Sequence, residues 1–366
     1  MSEQHRTVTA QRPGLDLELV WMAGQGRQPI DPDLFRLLEA IKRTGKLTTA
    51  TRQVGVPYRQ AWGLIAFWSE RLGQPLVAKE QGRGTRLTAL GERLLWIRER
   101  ITARLLPHLE SATSEIEQQL REVLNEPDPA LCIYASHDLA LAELRDFLRT
   151  RSGPKLDVRF VGSLDGVIAV CKSRCELAGF HIPEGTLGRE VYRKYEPWLK
   201  PRVQHLIHFV RRTQGLIVAT GNPLNIRNLT DVARTKARFI NRQRGSGTHL
   251  ALDTLLREGD IKREDIVGYY SEEFTHLAVA AAIAGGVADV GLGIEAAARK
   301  LKMDFVPLFT EDYYLLAKRE TTKREDIESL IAVLRGNSFR KIAHAFPGYD
   351  ASLAGTITTL GNAFSL

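Results

Sequence analysis

Between Asp31 and Leu87 the chain carries three short amphipathic segments parted by glycine and then two apolar runs joined by a glycine turn, and few folds accommodate that order. Leu34, Leu37, Leu38 and Ile41 follow helical spacing, with Asp31 placed to cap and Gly45 to stop, which predicts a helix over Pro32 to Thr44. A second helix fits Leu47 to Val54, closed by Gly55, and a third fits Tyr58 to Leu72 with Ala61, Leu64, Ile65 and Trp68 on one face. Two short helices joined by a glycine turn predict a helix-turn-helix, whose second helix enters the major groove. Leu76 to Lys79, then Gly82-Arg83-Gly84, then Thr85 to Thr88 read as strand, turn and strand: a wing.

Charge falls on the same stretch. The 366-residue chain has a formal net charge of +8, yet Lys42 to Arg86 holds nine bases and two acids, leaving the remainder nearly neutral. A local basic patch suits a polyanionic partner, because each neutralised phosphate releases counterions; a solvated basic surface is the alternative. Lys46, Arg52, Lys79, Arg83 and Arg86 are the phosphate candidates. Tyr58, Arg59 and Gln60, at the start of the third helix, are the candidates for base or phosphate contact. Trp62 and Trp68 are expected in the core.

These residues resemble the DNA-binding domain of the molybdate-responsive ModE regulators, itself close to the LysR type. The resemblance covers about residues 31 to 96 and rests on YRQAW, the glycine-bearing wing and LTALGERLL in that order. Thr51 stands where many such helices carry alanine. From Leu90 to Val123, apolar residues recur at a helical interval (Leu90, Leu94, Ile97, Ile101, Leu105, Leu109, Ala112, Ile116, Leu120, Val123), with Pro107 expected to kink or break the helix. In regulators of this kind such a helix pairs two subunits, which implies a homodimer or homotetramer; the alternative is a helix lying on its own chain. Asn125 to Pro129 reads as a linker.

The rest of the chain alternates strand and helix. Strands fit Leu131 to Ala135, Leu156 to Val161, Glu176 to Phe180, Leu206 to Val210, Ala237 to Ile240, Ile266 to Tyr269 and Ala288 to Val290, which predicts an α/β domain with a largely parallel sheet and two lobes. Ligands in such sheets sit beyond strand C-termini. Three junctions there carry polar residues: Ser136-His137-Asp138, Gly162 to Asp165, and Asn241-Arg242-Gln243-Arg244-Gly245-Ser246-Gly247-Thr248. The last joins glycines, hydroxyls and two arginines at a helix start, a design suited to an anion; simple capping by Ser246 is the alternative.

At these residues a second resemblance enters. YASHDLAL, VGSLDGVIAV, LAGFHIPEG, RFINRQRGSGT and THLAVAAAIAGGVADVGLGIEAAA look like the periplasmic-binding-protein-like domain found fused to bacterial DNA-binding domains and to molybdopterin-biosynthesis proteins. It implies a hinged sensor for a small anion, molybdate or tungstate being favoured, with Ser136, Ser163, Asn241, Arg242, Arg244, Ser246, Gly247 and Thr248 around the ligand and Tyr313 closing the cleft.

The expected fold class is therefore α/β: an N-terminal winged helix-turn-helix, a long linker helix, and a C-terminal two-lobed type II periplasmic-binding-protein-like domain. The expected limits are an extension over 1–30, where Leu15 to Trp21 alternate like a short strand, the winged helix over 31–90, the linker and dimerisation helix over 91–124, and the sensor over 125–366. Three cysteines in so long a chain argue against a disulfide framework, the first residues lack a signal-peptide core, and the apolar run Leu277 to Ala288 is too short to span a membrane, so a cytoplasmic home is expected.

Catalytic motifs are absent or poorly placed. Gly291-Leu292-Gly293-Ile294-Glu295-Ala296 meets a relaxed dinucleotide fingerprint but closes the α/β region rather than opening it; a lobe junction, with Glu295 starting a helix, fits better. Ser136, His137 and Asp138 are sequence neighbours, which cannot aim at one another as a triad must. Cys171 and Cys175 with His181, or His205 with His208, match no zinc spacing. The expectation is a non-enzymatic one-component transcriptional regulator of double-stranded DNA under a small anionic effector, without cofactor or membrane. The alternatives are an enzyme or accessory protein of molybdenum-cofactor metabolism, a regulator sensing a carboxylate such as formate, and an architectural DNA-binding protein.

Overall fold

The computed structural model describes residues 17–23, 27–80, 84–124, 130–149 and 153–364. The linker Asn125 to Pro129, the wing residue Arg83 and Leu15 and Asp16 lie outside them. Residues 17–21 are not a strand; instead β1 (Met22–Ala23) and β2 (Gln28–Pro29) form a two-residue ladder. Trp21 docks on Phe35, ring centroids 5.8 Å apart.

α1 (Pro32–Thr44), α2 (Leu47–Val54) and α3 (Tyr58–Arg71) follow the apolar periodicity. Asp31 Oδ1 accepts from the Asp33 amide at 2.9 Å, and Gly45 and Gly55 end their helices at φ +68° and +80°, a region costly to any side chain. Leu34, Phe35, Leu37, Leu38, Ile41, Ala50, Ala61, Ile65 and Trp68 make one core. Thr51 is buried in it and returns its hydroxyl to the Thr48 carbonyl (2.9 Å), so the site tolerates a polar residue. The wing is β3 (Val77–Glu80) against β4 (Gly84–Leu87), antiparallel, and the Thr85 amide ties it to the Gly45 carbonyl (2.8 Å).

α4 (Ala89–Val123) runs as one helix through Pro107, so the break that was one of the two expectations there does not occur. Proline has no N–H for the carbonyl four residues back. That carbonyl, Ala103 O, accepts instead from Thr275 Oγ1 of the C-terminal domain at 2.9 Å. Further anchors hold α4 to its own chain: Trp96 Nε1 donates to Ala281 O (2.7 Å) above Gly285, Arg93 donates to Gly285 O (3.0 Å), and Arg145 pairs with Glu110 (3.0 Å).

The C-terminal domain is one long curled sheet in the order β10-β9-β11-β8-β12-β7-β5-β6. On one side lie β5 (Ala130–Ala135), β6 (Lys155–Phe160) and β7 (Leu177–Pro183), mutually parallel, with α5 (Leu139–Arg149), α6 (Ser163–Cys171) and α7 (Gly185–Tyr195). On the other lie β9 (Phe239–Arg242), β10 (Glu272–Glu273) and β11 (Val290–Ile294), with α8 (Leu229–Thr235), α9 (Gly247–Glu258), α10 (His276–Ala284) and α11 (Glu295–Lys300).

Two fifteen-residue strands, β8 (Gln204–Val218) and β12 (Asp304–Lys318), cross from lobe to lobe as an antiparallel pair. β12 meets β7 through residues 311–317, whereas β8 meets β11 through residues 214–218. α12 (Glu325–Arg335) and α13 (Asn337–His344) follow, and β13 (Tyr349–Asp350) and β14 (Ile357–Thr359) pair with β8 ahead of α14 (Leu360–Phe364).

The sheet is thus mixed rather than largely parallel. Sequence reading truncated β8 at Val210, where Arg211 and Arg212 begin, and overlooked β12, which carries Pro307, Glu311 and Asp312. Ile266 to Tyr269 is a turn, not a strand, with Gly268 at φ +87°.

Candidate functional site

The winged helix presents one open face. Tyr58, Arg59 and Gln60 are exposed on the first turn of α3, with exposed Lys46 and Lys79 beside Tyr58, and Arg52 and Arg86 are exposed as well. Lys46, Leu47, Thr48, Tyr58, Lys79, Gly84 and Thr85 line a groove of ≈550 Å³ between α2, α3 and the wing. Trp68 is buried as expected, but Trp62 is at the surface, its ring 4.6 Å below the Lys79 ammonium. Burying the ring in the core would forfeit that cation–π contact.

The second site is a buried polar cluster where the two lobes meet the crossing strands. Arg212 and Glu311 are register partners on β8 and β12, and Arg212 Nε donates to Glu311 Oε1 at 2.6 Å. Arg212 Nη1 donates to Asp138 Oδ2, also at 2.6 Å. Asp138 caps α5 through the Ala140 and Leu141 amides and accepts from the Tyr349 hydroxyl. Burial works against the Arg212 charge, yet Glu311, Tyr349 and Asp138 together raise its pKa. Gln214 Nε2 donates to Glu311 Oε1 (2.9 Å) and to Thr248 Oγ1 (3.0 Å), tying the hinge to α9 of the far lobe.

Arg242, at the end of β9, is 1% exposed. Its Nε reaches Gln243 Oε1 at 3.2 Å, while among the described residues Nη1 and Nη2 have no hydrogen-bond partner. Burial, then the like charge of Arg212, lowers its pKa to about 9 against a pull from Glu311. Three buried histidines share this environment. His137 is lowered to about 3 by burial and then by Arg242; His181 and His276 lie well below the ordinary histidine value, again from burial first and then from Arg212 and Arg242. All three are neutral at pH 7. Both ring nitrogens of His276, Nε2 of His181, Arg212 Nη2, Gln214 Oε1 and Glu311 Oε2 also lack hydrogen-bond partners. Such concentration of unsatisfied buried polar atoms is unusual in a folded interior.

The predicted ligand residues distribute unevenly. Ser136, Ser163, Arg242, Gly247, Thr248 and Tyr313 come together: Ser136 Oγ lies 3.4 Å from His181 Nδ1, Tyr313 donates to Ser136 O (3.1 Å), Gly247 packs on the His181 ring, and Ser163 sits beside the Tyr195 phenol. Asn241 and Ser246 are buried but already engaged. Asn241 Oδ1 accepts from the Arg242 amide (2.8 Å), and Ser246 Oγ caps α9 through the His249 amide (3.2 Å). Arg244 is not brought in. Its side chain is 73% exposed and pairs with Glu272 at 3.5 Å.

Arg212, Gln214, His276 and Glu311 were missed in the sequence, although two adjacent arginines inside the apolar run HLIHFVRRTQGLIV are a visible signal. Ser136, His137 and Asp138 diverge, as chain neighbours must: His137 packs at a tilt against Phe160 while Asp138 binds Arg212. Cys171 Sγ bonds to Trp198 O. Among the described residues, no group of three or more metal-ligating side chains gathers, and no helix is long and apolar enough to cross a membrane.

The cluster adjoins the linker helix. Glu273 on β10 is the register partner of Arg242, and the Gln243 amide donates to Glu273 O at 3.1 Å. Its carboxylate, 1% exposed, is gripped from α4 by Arg100 (3.1 Å) and Arg104 (3.6 Å). Two residues on, Thr275 caps α10 and bonds to Ala103 O, and His276 faces the arginines.

Comparison with known proteins gives two family matches. Residues 145–335 match the PBP superfamily domain, and residues 32–92 match the bacterial regulatory helix-turn-helix protein of the lysR family. Among relatives, YvgK of Bacillus subtilis (strain 168) is 27% identical over 246 residues, 67% of this chain and 79% of that protein. The molybdenum transport protein ModE of Azotobacter vinelandii is 33% identical over 93 residues, 24% of this chain and 33% of that one. Among solved structures, an OxyR mutant of Corynebacterium glutamicum aligns with 86% of this chain and 94% of its own at 13% identity and a TM-score of 0.41.

Proposed function

The chain belongs to the PBP superfamily and carries a lysR-family helix-turn-helix ahead of that domain, and from this premise we propose that it is a cytoplasmic transcription regulator in which a small anion held between the lobes sets the grip of the winged helix on DNA. The exposed start of α3 offers Tyr58, Arg59 and Gln60 to base edges, and Lys46, Arg52, Lys79 and Arg86 stand around it for phosphate. Arg83 on the wing joins them by sequence. The apolar residues Ile97, Leu105, Ile116, Leu120 and Val123 stay exposed along α4 although the helix is docked on its own chain. They support assembly of a dimer or tetramer through that face.

One observation carries the anion reading: a fully buried arginine with two unpartnered guanidinium nitrogens between the lobes. A buried charge without a counter-ion is costly, and an oxyanion supplies both the charge and the acceptors. Arg242, Arg212, Thr248 and the His276 ring are the groups that would hold it. β10 supports a route to DNA, since its Glu273 is the register partner of Arg242 and is gripped from α4 by Arg100 and Arg104. An anion that pulls on β9 and β10 acts on the Glu273 carboxylate and hence on the helix bearing the winged domain; coupling requires that it bind the two DNA-affinity states unequally.

The test is fluorescence anisotropy of operator DNA titrated with full-length protein in the presence and absence of molybdate, tungstate, sulfate, orthophosphate and formate. At least one anion should shift DNA affinity at least about fivefold in the native protein and have no effect in Arg242→Met. Equal DNA affinity under all of them would defeat anion control.

A further inference from the structure

Among the described residues, the orphaned atoms around Arg242 include some that can only donate and some that can only accept, beside ring nitrogens of His276 and His181 that can do either, and this narrows what can lie among them. Arg242 Nη1 and Nη2 and Arg212 Nη2 can only donate. Glu311 Oε2 and Gln214 Oε1 can only accept, and both residues are 0% exposed. The Gln214 amide cannot be turned to change this. Its nitrogen faces Glu311 Oε1, which accepts but cannot donate while paired with Arg212, so a flip would set two oxygens against each other. His181 Nε2, 3.9 Å from Glu311 Oε2, is too far to satisfy that oxygen. An ion made only of acceptor oxygens would quiet the arginines and leave Glu311 and Gln214 unsatisfied, with a carboxylate beside its own charge.

We propose that the effector is a small oxyanion that keeps a hydroxyl hydrogen at neutral pH, with its charged oxygens on Arg242 and Arg212 and its O–H donated to Glu311. This rests on the anion-sensor reading and selects within it. Orthophosphate and small α-hydroxy acids have this chemistry; molybdate, tungstate and sulfate, fully deprotonated at neutral pH, do not. A site committed to a ligand O–H rejects the analogue lacking it far more strongly than it rejects a change of size, because the protein acceptor is then left buried and bare.

Isothermal titration of the full-length protein at pH 7 compares two pairs of probes, orthophosphate against sulfate and glycolate against acetate, with molybdate and tungstate alongside. The hydroxyl-bearing member of at least one pair should bind on the order of 100-fold more tightly than its partner, and which pair responds distinguishes a phosphate-type from a hydroxy-acid effector. Sulfate, molybdate or tungstate binding as tightly as orthophosphate and glycolate overturns the hydroxyl requirement while leaving the anion sensor standing. No heat from any of the six overturns both.

The comparison needs no variant. In E311Q, whose amide keeps an acceptor for Arg212 and gains a donor, discrimination within the responding pair should collapse to within about threefold, with sulfate or acetate gaining affinity. Unchanged discrimination in a folded E311Q would remove Glu311 from the role.

Discussion

Arg212 and Glu311 face each other across β8 and β12 at the point where both strands pass between lobes, joined Nε to Oε1 at 2.6 Å with neither side chain exposed. The crossing between the lobes is therefore also a wall of the buried polar cluster. Glu311→Ala leaves Arg212 with Asp138 alone, and breaking a buried pair from one side costs about 3 kcal/mol. Urea denaturation of the two proteins should show that loss; equal midpoints would mean the pair contributes nothing.

Arg242 stands differently, since among the described residues no carboxylate contacts it. Removing an uncompensated buried charge relieves strain, so Arg242→Met should raise the stability of the ligand-free protein by about 1 to 3 kcal/mol while abolishing stabilisation by anions. A lower melting temperature together with retained anion binding would show that the guanidinium is satisfied some other way.

The buried histidines make the protein acid-sensitive. His137 takes up a proton at about pH 3 in the native state and near its ordinary 6.5 when unfolded, and His181 and His276 are displaced in the same direction. Between those values the unfolded chain binds more protons, so stability should fall as pH drops below 6.5, by about 1.4 kcal/mol per pH unit for each histidine that remains neutral. Urea midpoints between pH 7.5 and about 4.5 measure the slope. A flat profile would mean the rings are charged in the native protein.

Glu273→Gln keeps the shape of the side chain on β10 but removes the charge that Arg100 and Arg104 grip. Anion affinity should change less than about threefold, while the anion's effect on DNA affinity, of the usual allosteric size of about 1 to 3 kcal/mol, should largely vanish. Anisotropy titrations with and without the anion chosen by calorimetry separate the two quantities. Intact coupling would move the route away from β10.

At the DNA face, Lys46→Ala and Lys79→Ala should each reduce the slope of log affinity against log salt by about 0.9. Arg59→Ala should cost about 1 to 3 kcal/mol on operator DNA and less on unrelated sequence. An unchanged slope or a uniform loss, respectively, would reassign the residue.

Much of this was legible in the sequence where local signals and the final fold agree. The winged helix shows helical periodicity with glycines at both stops, and the structure uses them as read. The cluster was only half legible. Gly247, Thr248 and Arg242 announce themselves at a strand–helix turn, but Ser246 and Asn241, equally polar, are occupied in holding that turn. Arg212 and Glu311 sit in mid-strand, 99 residues apart, and acquire meaning only when the antiparallel register sets them side by side. The same charges, with Pro307, hid β12, because a strand buried in a hinge need not look apolar.

Pro107 gives α4 something a regular helix lacks, an addressable notch. With Ala103 O left open at one height along a 35-residue rod and Thr275 waiting opposite, displacement of the rod by one turn would break the match and bury a bare carbonyl. The imino acid thus works as an index mark that sets where the C-terminal domain is mounted on the shaft carrying the winged domain, so that any shift at the mount would become a shift in the reach of that domain.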